Sequence, residues 1–144
     1  MKATLRLRKI FSFGDIYNQP LYSRLQELDK KVFADAKSEF KPNREWWVIV
    51  DKGLIVAYCG SLYIDGVCIF VRAWVHRPYR GNGLQSRMIK TRLKAANFCY
   101  RAITYVHPDG ISSMNNLVNN GFRFYVPQAK YAGDGFLYFY KDMK

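Results

Sequence analysis

The segment that most limits how this chain can fold is residues 67–76 (VCIFVRAWVH), apolar on both faces for most of its length. A strand of that kind has to be covered on both sides, which places it in the middle of a sheet. Gly81-Asn82-Gly83 then breaks the pattern. From Leu84 to about Phe98 the apolar positions Met88, Ile89, Leu93 and Ala96 follow helical spacing. A buried strand that turns through glycines into an amphipathic helix belongs to a sheet whose faces carry helices.

The rest of the chain supplies that sheet. Residues 4–9 alternate apolar and basic side chains and read as a strand. After Gly14-Asp15, Leu21, Leu25, Leu28 and Val32 form one apolar helical face, with Pro20 in the first turn. Residues 45–50 turn at Asp51-Lys52-Gly53 into a strand at 54–63, and Asp65-Gly66 marks a hairpin into 67–76. Residues 101–106 form another strand, and Pro108-Asp109-Gly110 a turn. Ser112 or Asp109 caps a short helix with an apolar face of Met114, Leu117 and Val118, ended at Asn120-Gly121. Strands at 122–127 and 135–141 close the chain. The order β-α-β-β-β-α-β-α-β-β predicts an α/β (α+β mixed) fold with a mixed sheet, hairpins first and crossovers after. No linker divides the 144 residues, so one domain spans 1–144.

Composition excludes several classes. With 49% apolar and 17% aromatic residues the chain is not disordered. No apolar run approaches the ~18 residues of a membrane span. Met1–Arg8 lacks the apolar core and cleavage site of a signal peptide. Cys59, Cys68 and Cys99 are odd in number and lack CxxC spacing, and only His76 and His107 could join them. Neither a disulfide framework nor a metal site is expected, and a cytoplasmic location fits. The formal charge of +12, from 23 Lys and Arg against 11 Asp and Glu, favours polyanionic ligands and disfavours polycationic ones.

The chemistry concentrates in Val75-His76-Arg77-Pro78-Tyr79-Arg80-Gly81-Asn82-Gly83-Leu84-Gln85-Ser86. Glycines let a ligand approach the backbone. The first amides of the next helix lack intrahelical acceptors and sit at a positive dipole end, which suits a phosphate or pyrophosphate. Arg80 adds charge at the rim, and Arg87 lies one turn into the helix. Taken alone, Gly-x-Gly also serves as a mere tight turn.

Arg80-Gly81-Asn82-Gly83-Leu84, between a strand ending at Val75 and an amphipathic helix, resembles the acyl-CoA signature of the GCN5-related N-acetyltransferases (GNAT superfamily), Arg/Gln-x-x-Gly-x-Gly/Ala. Gly121-Phe122 resembles the Gly-Phe that ends that family's second CoA-side helix. The element order is similar over essentially the whole chain. The resemblance implies a single GNAT domain: a central, mostly antiparallel twisted sheet flanked by helices, with two strands splayed at the CoA site. It implies an N-acetyltransferase with acetyl-CoA as co-substrate, no metal, and direct attack by an amine in a ternary complex. The CoA pyrophosphate would lie on the turn and helix start formed by Gly81, Asn82, Gly83, Leu84, Gln85 and Ser86, flanked by Arg80 and Arg87. The strand end at Trp74-Val75-His76 would bond the pantetheine arm, and a backbone N–H near Val75 would polarise the thioester carbonyl.

Three departures stand out. Gln85 replaces the last small residue of the signature, and Pro78 is displaced by one, leaving Arg77 at the usual proline place. Leu117 stands where many members carry a tyrosine acid, and Gly110 where an asparagine is common. No acidic residue lies between Asp65 and Asp109, a stretch with eight Lys or Arg, so a carboxylate base on the central strand is absent. His107 is the best titratable candidate. His76 is a weaker one, and Tyr125, Tyr131 and Tyr138 offer phenols whose place the sequence does not give. Arg87, Lys90, Thr91 and Lys94 share a helix face, with Arg92 nearby, and provide counter-charge for CoA. The expected acceptor is a small-molecule or protein amine that is not polycationic, nucleic-acid-linked amines included. No membrane association is expected, and the chain is a monomer or homodimer. The alternative is a catalytically weak or inactive GNAT-fold protein that binds nucleic acid or a protein through its basic surface. Leu117 and Gln85 motivate it, and the intact Arg80–Gly83 turn argues against it.

Overall fold

A computed structural model describes residues 5–11 and 19–143. Met1–Thr4 and the Gly14-Asp15 break lie outside them. The elements are β1 (Arg8–Phe11), α1 (Gln19–Val32), β2 (Arg44–Asp51), β3 (Leu54–Ile64), β4 (Val67–Val75), α2 (Leu84–Ala95), β5 (Arg101–Val106), α3 (Ile111–Asn119), β6 (Arg123–Tyr125) and β7 (Leu137–Asp142). A single 3₁₀ turn, Arg77–Tyr79, bridges β4 and the glycines. The order is the one the periodicities predict. Among the described residues no helix is long and apolar enough to cross a membrane.

The strands form one α/β sheet in the order β1-β2-β3-β4-β5-β7-β6. Every pair is antiparallel except β4–β5, which is parallel. β4 is central, as its two apolar faces require. On one face Leu21 and Leu25 of α1 pack with Trp46, Tyr58 and Val71. On the other, Leu84 and Met88 of α2 pack with Ile49, Val56 and Val75. Ile89, Leu117, Phe70, Phe122 and Phe139 fill the space between α2, α3 and the second half of the sheet.

Boundaries differ from the sequence reading in places. β1 starts at Arg8, so Leu5–Leu7 precede it, and Thr4 lies outside the described residues. α2 ends at Ala95, and Phe98, 66% exposed, lies beyond it. α3 starts after Gly110 without a side-chain cap, so neither Ser112 nor Asp109 fills that role. Val118 is exposed, leaving Met114 and Leu117 as the inward face. β6 stops at Tyr125, two residues before Pro127, which has no N–H for a ladder.

The decisive irregularity is in β4. It pairs with β5 only from Val67 to Ile69, opposite Arg101 to Ile103. Beyond that the register against β3 shifts: Val71 faces Gly60 and Ala73 faces Cys59, leaving Arg72 as an extra residue at φ 57°. Such a bulge bends and twists its strand. A non-glycine residue in left-handed geometry costs about 1–2 kcal/mol and needs outside support. Arg72 receives it from two sides. Its Nε and Nη2 donate to the Asp29 carboxylate of α1 at 3.0 and 3.3 Å, and Nη2 to the Lys37 carbonyl at 2.8 Å. Arg92 of α2 donates through Nη1 to the Arg72 and Gly60 carbonyls, each at 3.2 Å. Asp29 also accepts the Tyr58 hydroxyl at 2.5 Å.

Asp29 and Arg72 are buried, and removing one partner of a buried pair costs about 3–5 kcal/mol. Asp29→Ala is therefore expected to lower the unfolding free energy by about 3 kcal/mol or more in urea titration. A loss below about 1 kcal/mol would mean that the pair does not hold the bulge.

Candidate functional site

The bulge leaves β4 with a free edge. The His76 N–H donates to the Val56 carbonyl at 2.7 Å, so these two residues form a hydrogen-bonded pair. Bonded and non-bonded pairs alternate along an antiparallel ladder. Val75 opposite Ala57, and Ala73 opposite Cys59, are therefore non-bonded pairs. Both residues turn their N–H and C=O groups away from β3, toward the side that β5 has left. Arg80 Nε donates to the Val75 carbonyl at 2.9 Å. The Val75 N–H remains directed at the gap.

The glycine turn lies at the end of this edge. Gly81 and Gly83 have φ of 81° and 75°, and a Cβ at either would meet no atom within 4 Å. They serve backbone conformation, and the space outside the turn is open. The first bond of α2 runs from the Arg87 N–H to the Gly83 carbonyl at 3.0 Å. The N–H groups of Leu84, Gln85 and Ser86 therefore have no acceptor within the helix. No acidic residue occupies the first turn. A cleft of about 530 Å³ covers both features, lined by Ala73 and Val75 of β4, Arg80, Gly81 and Gly83 of the turn, and Leu84 and Gln85 of α2. Ser112, Ser113 and Asn116 of α3 close its far side.

The other residues singled out in the sequence sit as follows. Asn82 donates through Nδ2 to the Tyr79 carbonyl at 3.0 Å and braces the turn. Ser86 Oγ accepts from Lys90 Nζ at 2.9 Å and from Asn120 Nδ2 at 3.1 Å, tying α2 to the end of α3. Arg87 Nη2 donates to the Leu5 carbonyl at 3.0 Å. His76 packs at a tilt between Trp74 and Tyr79 and lines a different hollow with Arg24 and Leu28. The Tyr138 hydroxyl donates to the Gly133 carbonyl at 2.7 Å and accepts the Ala132 N–H at 3.0 Å, so it is already occupied. Tyr125 packs on Tyr140, and Tyr131 on Tyr105 and Tyr138.

His107 lines a second cavity of about 440 Å³, which shares Ala73, Gln85 and Ser113 with the first. Phe33, Phe70, Leu117 and Phe136 make its walls apolar, and Tyr105, Arg72 and Arg92 also face it. No Asp or Glu lines either cavity among the described residues. His107 accepts the Asp109 N–H through Nδ1 at 3.2 Å. The same Nδ1 lies 3.6 Å from the exposed Asp109 carboxylate. Burial raises the Tyr105 pKa above the ordinary phenol range. Its hydroxyl has no hydrogen-bond partner among the described residues.

Sequence reasoning missed Tyr105 and Arg92. Tyr105 lies two residues before His107 on one strand and so shares its face, which is a legible signal. Arg92 reads as a neighbour of the basic helix face, yet it is 2% exposed. It follows Met88 by four residues, a spacing that belongs to the apolar face.

Comparison with known proteins adds a family. The model of the acetyltransferase (GNAT) family matches residues 10–122. No curated protein matches the chain. Among solved structures, Tetrahymena GCN5 is similar at 14% identity over 97% of each chain, with a TM-score of 0.74. The ribosomal-protein-S18-alanine N-acetyltransferase from Escherichia coli is similar at 10% identity, over 97% of this chain and 94% of that one, with a TM-score of 0.69. The PaiA N-acetyltransferase from Thermoplasma acidophilum, in complex with coenzyme A, is similar at 12% identity over 96% and 99%, with a TM-score of 0.66. At such identities the likeness concerns the fold.

A ligand that fills the cleft stabilises the protein by mass action. Acetyl-CoA at about a hundred times its Kd is expected to raise Tm by roughly 5 °C or more. Gly83→Glu is expected to abolish that shift, because it sets a carboxylate beside the free amides. Its own cost in the unliganded protein is expected to stay near the 1–2 kcal/mol of the left-handed backbone, since a side chain there starts in open space. An unchanged shift in the variant would remove the glycine turn from the binding site.

Proposed function

Because the chain belongs to the acetyltransferase (GNAT) family, we propose that it is an acyl-CoA-dependent N-acyltransferase that moves an acetyl group to an amine by direct attack in a ternary complex. The observation that carries this reading is the free edge of β4, which runs from the N-terminus of α2 to the second cavity. The residues fit acetyl-CoA on structural grounds: unfilled amides at Leu84–Ser86, open space outside Gly81 and Gly83, and a strand edge with unpaired N–H groups.

Acetyl-CoA supplies a thioester, an acyl carbon already activated for attack. The amides of α2 hold the pyrophosphate, with Arg80 oriented beside it by the Val75 carbonyl. The edge of β4 at Ala73 and Val75 extends the pantetheine arm through the gap. The Val75 N–H donates to the carbonyl oxygen as negative charge develops on it. The amine enters from the second cavity. A C–N bond forms and the C–S bond breaks, and the electron pair leaves on sulfur.

One proton then has to leave nitrogen and one has to reach sulfur. The nitrogen of the tetrahedral intermediate loses its proton to water, the thiolate takes one from Tyr105, and the tyrosinate recovers one from water, so that amine and thioester give amide and thiol. Tyr105 thus fills the role left open by Leu117, since burial keeps its phenol protonated. His107, whose Nδ1 accepts the Asp109 N–H, lines the cavity from which the acceptor enters. The cationic, carboxylate-free lining of both cavities supports an acceptor that is not polycationic.

Incubation with isotope-labelled acetyl-CoA and a panel of amines, read by mass spectrometry, is expected to find acylated amine and an equal amount of free CoA thiol. Absence of both, with CoA bound, would favour the non-catalytic alternative. Tyr105→Phe is expected to lower kcat about a hundredfold while leaving the KM for acetyl-CoA within twofold, as loss of a general acid requires. A kcat within threefold of the parent's would overturn its role.

A further inference from the structure

Among the described residues Arg92 is a buried cation without a counter-ion. Its Nε donates to the Met88 carbonyl and its Nη1 to the Gly60 and Arg72 carbonyls, each at 3.2 Å. Its guanidinium carbon lies 3.8 Å from the centre of the Phe70 ring. No carboxylate pairs with it among the described residues. Burial pushes the neighbouring thiols of Cys59 and Cys68 up to about 11 and about 12, so both stay neutral. Asp29 is committed to Arg72 and Tyr58. A guanidinium stays charged in proteins, and a buried charge held only by dipoles and a ring face still lacks compensation.

Arg92 also lines the second cavity, and Nη2 takes part in none of its hydrogen bonds. Thr104, 7% exposed, lines the same space. Its hydroxyl has no hydrogen-bond partner among the described residues. The remaining surface is largely apolar, with Phe33, Phe70 and Phe136 on it. One uncompensated cation, free hydroxyls that include those of Thr104 and Tyr105, and aromatic walls around about 440 Å³ match a small monoanion with an apolar body.

We propose that the second cavity binds the carboxylate of its acceptor through Arg92 Nη2 and the Thr104 hydroxyl, with an aromatic or aliphatic body against Phe33, Phe70 and Phe136. The substrate class is therefore a small amine that also carries a carboxylate. Only the word acceptor rests on the acyltransferase reading; the carboxylate site stands on the cavity itself.

The test is calorimetric titration of the full chain with phenylacetate, its neutral isostere phenylacetamide and the cation phenethylamine, each with and without saturating CoA. Phenylacetate is expected to bind at least about tenfold more tightly than phenylacetamide, the ratio one charge-assisted hydrogen bond supplies. Phenethylamine is expected to bind more weakly than either. Arg92→Met is expected to bring phenylacetate down to the level of the amide. Thr104→Val, which leaves the buried charge in place, is expected to weaken phenylacetate about threefold and the amide not at all. The proposal is overturned if the wild-type protein binds the amide as well as the carboxylate, or binds phenylacetate more weakly than about 10 mM. It is also overturned if the preference survives in Arg92→Met. If Arg92→Met does not fold, the wild-type ratio and Thr104→Val decide. Carboxylate selectivity without CoA binding would keep this site and remove the acyltransferase reading. CoA turnover without carboxylate selectivity would do the reverse.

Discussion

The structure hangs on the bulge at Arg72. Asp29 holds its side chain from one face of the sheet, and Arg92 holds its carbonyl from the other. Without those contacts the extra residue in left-handed geometry would lose the support that offsets its strain. The β4–β5 ladder ends at Ile69 opposite Ile103, and beyond it the second cavity is lined from both strands and shares Ala73, Gln85 and Ser113 with the first. A stability element and the candidate site are therefore one feature. The site exists because a buried ion pair and a buried cation fix a local irregularity.

The distribution of charge follows from the same arrangement. The acid-free run between Asp65 and Asp109 covers β4, the glycine turn, α2 and β5, which together make up most of the cleft. Its cations do different work. Arg80 is tied to the Val75 carbonyl at the rim, Arg87 to the Leu5 carbonyl, and Arg92 lies in the core. The surplus of positive charge is thus partly structural. At the bottom of the second cavity it becomes a local demand for one negative charge.

Much of the fold was legible because it rests on local pattern. The two-sided apolar run at 67–76 marked the central strand, the change of period at Gly81–Gly83 marked the strand-to-helix turn, and the hairpin signals at Gly53 and Gly66 ordered β2 to β4. The candidate cofactor residues Val75, Arg80, Gly81, Gly83, Leu84 and Gln85 line one cleft because they are neighbours in sequence. The second cavity was not legible. It gathers Phe33, Arg72, Tyr105 and Phe136, which only the sheet order brings together. The bulge left a single trace, an arginine inside an apolar strand. Arg92 was hidden by its residue type, since a cation on the apolar face of a helix passes for one on its solvent face.

The central claim is that β4 offers a free edge, beside the α2 amides, to an acyl-CoA. Backbone amide NMR on addition of CoA tests it residue by residue. The account predicts that the N–H signals of Ala73, Val75, Leu84, Gln85 and Ser86 shift and gain protection from exchange. His76, whose N–H is already bonded to Val56, is predicted to keep its protection. Perturbation confined to other surfaces, or protection gained without Val75 and the α2 amides, would contradict it.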